Sequence, residues 1–186
     1  MPRNLLIASC FVCAASAALA EDATRQVSVE KLKLTAPESW KQSEPTSSLR
    51  LAQFEIPAVE GDEEPSELVI FPPFGGTAKE NIKRWIGQFE AEGRKVEMTQ
   101  GTTPEGKYIL VDLKGTYLKP MGPPVLQKTS PAPGYRMYGV IYTPKTGGNY
   151  FFKLTGPEKT VTAQSDAMRG LFGAKAADEK EFVLED

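Results

Sequence analysis

Residues 107–117 (KYILVDLKGTY) alternate with the two-residue period of a β-strand. Ile109, Val111, Leu113, Gly115 and Tyr117 fall on one face, and Tyr108, Leu110, Asp112, Lys114 and Thr116 on the other, wetter one. The chain that follows supplies partners in hairpin order. Residues 135–143 (YRMYGVIYT) read as a strand, 144–148 as a turn, and 149–155 (NYFFKLT) as the returning strand. Upstream, Val27, Val29, Leu32 and Leu34 mark a strand with an irregularity near Glu30, ended by Pro37. Leu49, Leu51, Phe54 and Ile56 mark another, and the run ending LVIF at Phe71 a buried one stopped by Pro72-Pro73. Val96 and Met98 mark a further short strand.

Two segments have the helical period instead. Thr77 followed by Glu80 is a capping box, in which a hydroxyl and a carboxylate satisfy each other's backbone N–H. Ile82, Trp85, Ile86 and Phe89 then form one apolar face, and Gly93 is a natural stop. Gly156-Pro157 opens a second helix, with Val161, Met168, Leu171 and Phe172 on one side and Ser165 interrupting the stripe. The fold class expected is α+β, one antiparallel sheet with helices packed on its faces. Trp85 belongs to the core on this reading, whereas Trp40, after Pro37, plugs the sheet edge.

The N-terminus limits the chemistry. Arg3 is the only charge in residues 1–20, an apolar stretch runs from Leu5 to Ala18, and Ala18-Leu19-Ala20 fits a signal-peptidase site. Ile7-Ala8-Ser9-Cys10 resembles a lipoprotein box, but too short an apolar core precedes it for anchoring at Cys10. The expectation is an exported, periplasmic or secreted protein with no stable membrane span after cleavage. Its organisation is a signal peptide at 1–20, a flexible leader at 21–30, a single domain at 31–173 and a charged tail at 174–186. Cys10 and Cys13 leave with the signal, and the chain has no His. Disulfides, thiol nucleophiles, thiolate or imidazole metal sites and His-based triads are thereby excluded from the processed chain. With 22 Lys+Arg against 24 Asp+Glu, a nucleic-acid partner is not expected either. No cofactor and no metal is expected; the acidic residues 60–66 (EGDEEPS) read as a solvated loop without EF-hand spacing.

Three places could carry function. Gly75, Gly76 and Thr77 open the first helix and could present N–H groups to a small anionic ligand, with Lys79 and Arg84 adding charge. No P-loop or dinucleotide motif accompanies them. Asp112 and Lys114 share a strand face and read as an ion pair rather than catalytic groups. The third place is a Pro-rich connection, residues 118–134 (LKPMGPPVLQKTSPAPG), long for a structureless loop in a compact domain. Pro120, Pro123, Pro124, Pro131 and Pro133 stiffen it and lower the entropy lost on binding. Met121, Val125 and Leu126 give it apolar contact groups, and Tyr117 and Tyr135 stand at its ends.

The segments FPPFGGTAKENIKRWIGQF, VDLKGTY and GYRMYGVIYTP with FFKLTGPEKTV together resemble an uncharacterised family of small exported bacterial proteins. The spacing of Gly75, Gly76, Asn81, Arg84, Trp85, Gln88 and Phe89 carries much of that resemblance. At the level of fold the order of elements also resembles the PsbP-like α/β/α sandwich, shared by extrinsic photosystem II subunits and a Ran-binding import factor. The resemblance implies architecture and a tendency towards protein binding, and it assigns no residue a role. The function expected is a non-catalytic binding module for a protein or peptide of the cell envelope, contacting it through residues 118–134 and the adjoining sheet face. The alternatives are an anion site at Gly75-Gly76-Thr77 and a hydrolase built on carboxylates or a Ser–Lys pair.

Overall fold

The computed structural model describes residues 23–73, 75–122 and 127–185. The signal-like segment with Cys10 and Cys13, and Val125 and Leu126 of the Pro-rich connection, lie outside the described residues.

Among the described residues, ten strands and three α-helices follow in the order β1 (Thr24–Val29), β2 (Leu32–Pro37), β3 (Lys41–Ser43), β4 (Ala52–Ile56), β5 (Ser66–Phe71), α1 (Ala78–Ile86), β6 (Lys95–Thr103), β7 (Gly106–Pro120), β8 (Thr129–Pro144), β9 (Tyr150–Pro157), α2 (Glu158–Ala163), α3 (Ser165–Gly170) and β10 (Lys180–Glu181). Eight strands form one antiparallel sheet in the order β10-β6-β7-β8-β9-β5-β4-β3, and β1 and β2 pair separately. The class is α+β as expected, but with two sheets where one was expected. The reason is local. Glu30 takes a left-handed φ of 50°, which folds Thr24–Val29 back on Leu32–Pro37 in register from Val29–Leu32 to Thr24–Pro37. Residues 24–29, expected within a flexible leader, are therefore a strand, and Val27 and Val29 are buried.

The two faces of the large sheet are covered differently. One face carries Leu68, Ile70, Leu110, Tyr138, Val140, Phe152 and Leu154, packed under the β1–β2 hairpin and α2–α3. This face includes the half of β7 expected to be wetter. Asp112 is buried there in a two-pronged pair with Arg136, at 2.9 and 2.6 Å, and Lys114 reaches Glu158 at 4.0 Å. The expected Asp112–Lys114 pair is not formed, because Arg136 on β8 has the longer, planar reach into the covered layer. Trp40 is fully buried in the same layer, edge-on to Phe54, and its Nε1 donates to Gln164 Oε1 at 2.9 Å, the residue at which the second helix breaks into α2 and α3.

The opposite face packs Val111, Leu113, Met137, Ile141 and Phe151 under α1, through Ile82 and Trp85, and under Phe89 just beyond the helix. A Cβ on Gly139 would lie 2.5 Å from Trp85 Cε3, so glycine here lets the indole rest on the β8 backbone. The capping box forms as read. Helix α1 nevertheless ends at Ile86, capped at Gly87, well before Gly93. The chain beyond it joins the sheet instead: Leu118 N donates to Gln88 O at 2.8 Å and Glu90 N to Thr116 O at 2.9 Å.

Most of the Pro-rich connection is strand rather than loop. β7 continues to Pro120 and β8 begins at Thr129, pairing Leu118 with Pro131 and Pro120 with Thr129. Prolines are tolerated because β9 ends opposite Tyr135, leaving this part of β8 with a free edge that needs no donor. Between the pairs Gly115–Tyr135 and Tyr117–Ala132, β8 uses one more residue than β7; Gly134, at φ 69°, absorbs that bulge.

Candidate functional site

Helix α1 covers β7, β8 and the start of β9 at Phe151, but stops short of the rest of β9 and of β4. Beside its end a cleft of about 410 Å³ opens, bounded by the extended β7–β8 hairpin on one side and residues 64–67 on the other. Alternation along β9 puts Phe151, Lys153 and Thr155 on this face; Phe151 lies under α1, while Lys153 and Thr155 line the cleft.

Lys153 Nζ donates to Gln88 Oε1 at 2.6 Å and to Tyr117 Oη at 3.0 Å, and it lies 5.0 Å from the Tyr117 ring centroid. Gln88 is aimed here because its carbonyl is tied to Leu118 N. Tyr117 stacks on Tyr135, with centroids 5.8 Å apart and planes 9° from parallel. Tyr135 Oη and Lys119 Nζ both donate to Glu64 Oε2, at 2.7 and 2.6 Å. Arg50 Nη1 donates to Glu67 Oε1 at 2.9 Å and to Gln53 Oε1 at 2.7 Å. Pro65, Val69, Phe71 and Pro120 supply apolar wall.

The electrostatics follow from this layout. Lys153 is half-buried and surrounded by protein atoms; burial lowers its pKa to about 8, the Arg50 and Arg84 charges push the same way, and Glu67 opposes them. Burial, with the Glu67 charge second, pushes the Tyr117 phenol up to about 12, so it is a neutral hydrogen-bonding group. Hydrogen bonds from Lys119 and Tyr135 hold the Glu64 carboxyl below its ordinary value.

Of the residues singled out in the sequence, Tyr117 and Tyr135 meet in this cleft. Met121 is half exposed at the hairpin tip, where its N–H donates to Lys128 O at 2.8 Å. Gly75, Gly76, Thr77 and Lys79 lie at the start of α1, away from Gln88 at its far end. There the Glu80 carboxylate already accepts from Thr77 N–H at 2.7 Å, and that bond holds its pKa down. An anion binding at this helix start would have to displace it. Arg84 Nη2 donates to Asn81 Oδ1 at 2.8 Å. Lys153, Gln88 and Arg50 were missed. The available signal was a lysine set between Phe151-Phe152 and Leu154 in a central strand, where a charge needs a reason.

A larger cavity, about 740 Å³, lies between the start of α1, β6–β8 and the C-terminal segment. Its inner lining is Ile109, Ile141 and Phe182, and its charged groups, Lys107, Asp178 and Lys180, are exposed at the rim. Two polar side chains of its lining already satisfy each other, Thr143 Oγ1 donating to Asn149 Oδ1 at 2.8 Å. Among the described residues, no group of three His, Cys, Asp or Glu is placed to hold a metal, and no helix is long and apolar enough to cross a membrane.

No protein-family model matches the chain, and comparison with curated proteins finds no match. Among solved structures it is similar to cyanobacterial PsbP (CyanoP) from Synechocystis sp. PCC 6803, in a solution structure. The TM-score is 0.48 at 12% identity, covering 91% of this chain and 99% of that one. This likeness and the PsbP-like resemblance in the sequence both concern the path of the chain, and neither carries a ligand or a residue role across.

Proposed function

We propose that this chain is an exported binding module that receives a protein or peptide segment in the cleft between the β7–β8 extension and the open face of β5 and β9. Export rests on the signal-like pattern of residues 1–20. The observation that carries the binding reading is the stop of α1 at Ile86, which leaves Glu67, Phe71, Lys153 and Thr155 partly exposed beside a stiff hairpin whose tyrosines are already stacked. Groups held in place before contact lose little entropy on binding. The sheet edges are poor docking strands by comparison: β3 has three residues with an exposed lysine, Lys41, and β10 has two residues. The face is therefore the better contact.

Selection of a displayed random-peptide library on residues 21–186 tests the reading. Peptides should be enriched, and Tyr135→Ala or replacement of residues 121–128 by a Gly/Ser segment of equal length should reduce their binding at least tenfold. Failure to enrich any peptide, or equal binding to both variants, would remove the cleft as the contact.

A further inference from the structure

We propose that the cleft anchors a carboxylate, either the C-terminal group of a bound peptide or that of a free organic acid, on the Lys153 ammonium and the Thr155 hydroxyl. The inference rests on the cleft being a binding site and names the chemistry it selects.

The first support is an unbalanced charge. The two groups that accept from Lys153 Nζ, Gln88 Oε1 and Tyr117 Oη, are both neutral. The nearby acids are committed elsewhere, Glu67 to Arg50 and Glu64 to Lys119 and Tyr135. Facing Lys153, Arg50 comes from the segment before β4 and Arg84 from α1, against Glu67 from β5. Buried charges are normally paired, so an ammonium in this setting has room for an anionic partner.

The second support is independent of charge. Thr155 Oγ1 is buried with no hydrogen-bond partner among the described residues, and Thr155 lines the same cleft. It lies two residues from Lys153 on one strand face, about 6.6 Å along β9. Orphaned hydroxyls are uncommon in folded proteins and call for an explanation. A carboxylate seated on the Lys153 ammonium would accept from Thr155 as well once rotation about χ1 turns the hydroxyl from its buried position into the cleft. Its two oxygens match one ammonium and one hydroxyl, whereas a phosphate would leave acceptors unmet. The apolar wall of Pro65, Val69, Phe71 and Pro120 suits the organic remainder of such an acid better than an inorganic anion.

The test uses residues 21–186 labelled with ¹³C-lysine, following the Lys153 Cε resonance against pH. The probes are benzoate, benzamide, and a randomised N-acetyl-tripeptide mixture prepared as free acids and as amides. Benzoate and the acids should raise the Lys153 midpoint by about 1 or more, and the neutral probes should leave it in place. Affinity for benzoate should fall with rising pH above about 8, approaching tenfold per unit, and level off once the raised midpoint of the complex is passed, because binding is linked to one proton. Lys153→Met should lose at least tenfold in affinity. Lys153→Arg should keep binding and lose that pH dependence, and Thr155→Val should weaken binding several-fold. Benzoate binding without tripeptide-acid binding would support the anchor and remove the peptide reading. Amides binding as well as acids would support the peptide reading and overturn the anchor. No response of Lys153 to any probe at about 10 mM would overturn it outright.

Discussion

Gly139 shows how one missing side chain sets the position of a helix. It faces α1 from the middle of β8, and Trp85 lies against it so closely that a Cβ would sit 2.7 Å from Cζ3. Trp85 in turn meets Phe151 edge-on at 6.2 Å, so the indole is held from two sides. Gly139→Ala should therefore push the indole and α1 outward rather than fill a void. A loss of about 1–3 kcal/mol is expected in urea unfolding, with a red shift of tryptophan emission. The Ala variant unfolding at the wild-type midpoint would mean that the indole has somewhere else to go. The capping pair Thr77 and Glu80 was legible in the sequence because it is a contact between near neighbours. The glycine's role was not, since it depends on a residue more than fifty positions away. Lys153 belongs with the glycine. Its alternation in β9 was readable, but where α1 would end above it was not, and that end decides whether the lysine is covered or open.

Two elements at the chain's ends are tied down by contacts their composition conceals. The β1–β2 hairpin buries Val27 and Val29 against the layer that holds Leu34 and Phe172. A chain begun at residue 31 should thus be about 4 kcal/mol less stable than one begun at residue 21, from the two valines alone. Equal unfolding midpoints would show that β1 is dispensable. At the other end, Glu179 fastens the charged tail to three elements. It accepts from Arg169 at 2.7 and 3.0 Å, from Thr99 at 2.8 Å and from Tyr108 at 3.1 Å. Burial alone would push its carboxyl up, but these bonds outweigh it and hold the pKa below the ordinary 4.5. Its stabilisation is then fully present above about pH 4.5 and is lost as pH falls through the lower, folded value. Glu179→Gln should cost about 3 kcal/mol at pH 7, by stranding Arg169, and the gap to wild type should narrow in acid. A gap that does not change with pH would mean that the carboxylate's charge is irrelevant to docking the tail. The sequence suggested a flexible leader at 21–30, and the prolines of 118–134 suggested a loop. In both cases strand pairing decided otherwise, through a left-handed turn at Glu30 that folds β1 onto β2 and a free edge along β8 that accommodates the prolines.

At the scale of the whole molecule, the sheet is a closed core on one side and a partly open one on the other. Completing α1's cover over β9 would bury the second face as fully as the first. The chain instead sets a lysine in that gap with neutral acceptors, which makes the folded state less stable than it could be. The sign is definite. With a folded pKa of about 8 against an ordinary 10.5, Lys153 binds its proton more weakly in the folded chain than in the unfolded one. Its contribution therefore opposes folding at neutral pH, and the opposition fades as pH rises from about 8 to 10.5. Lys153→Met, of similar length and no charge, should raise stability at pH 7 by about 2–3 kcal/mol. That advantage should shrink above pH 8 and be nearly gone by pH 10.5, where the folded wild-type side chain is neutral and the unfolded one half neutral. Urea unfolding of the two proteins across that range measures it, and taking the difference cancels the other titrating groups. A methionine variant that is less stable than wild type at pH 7 would mean the ammonium is well solvated or paired. The cleft would then be ordinary surface rather than a site kept open at the expense of stability.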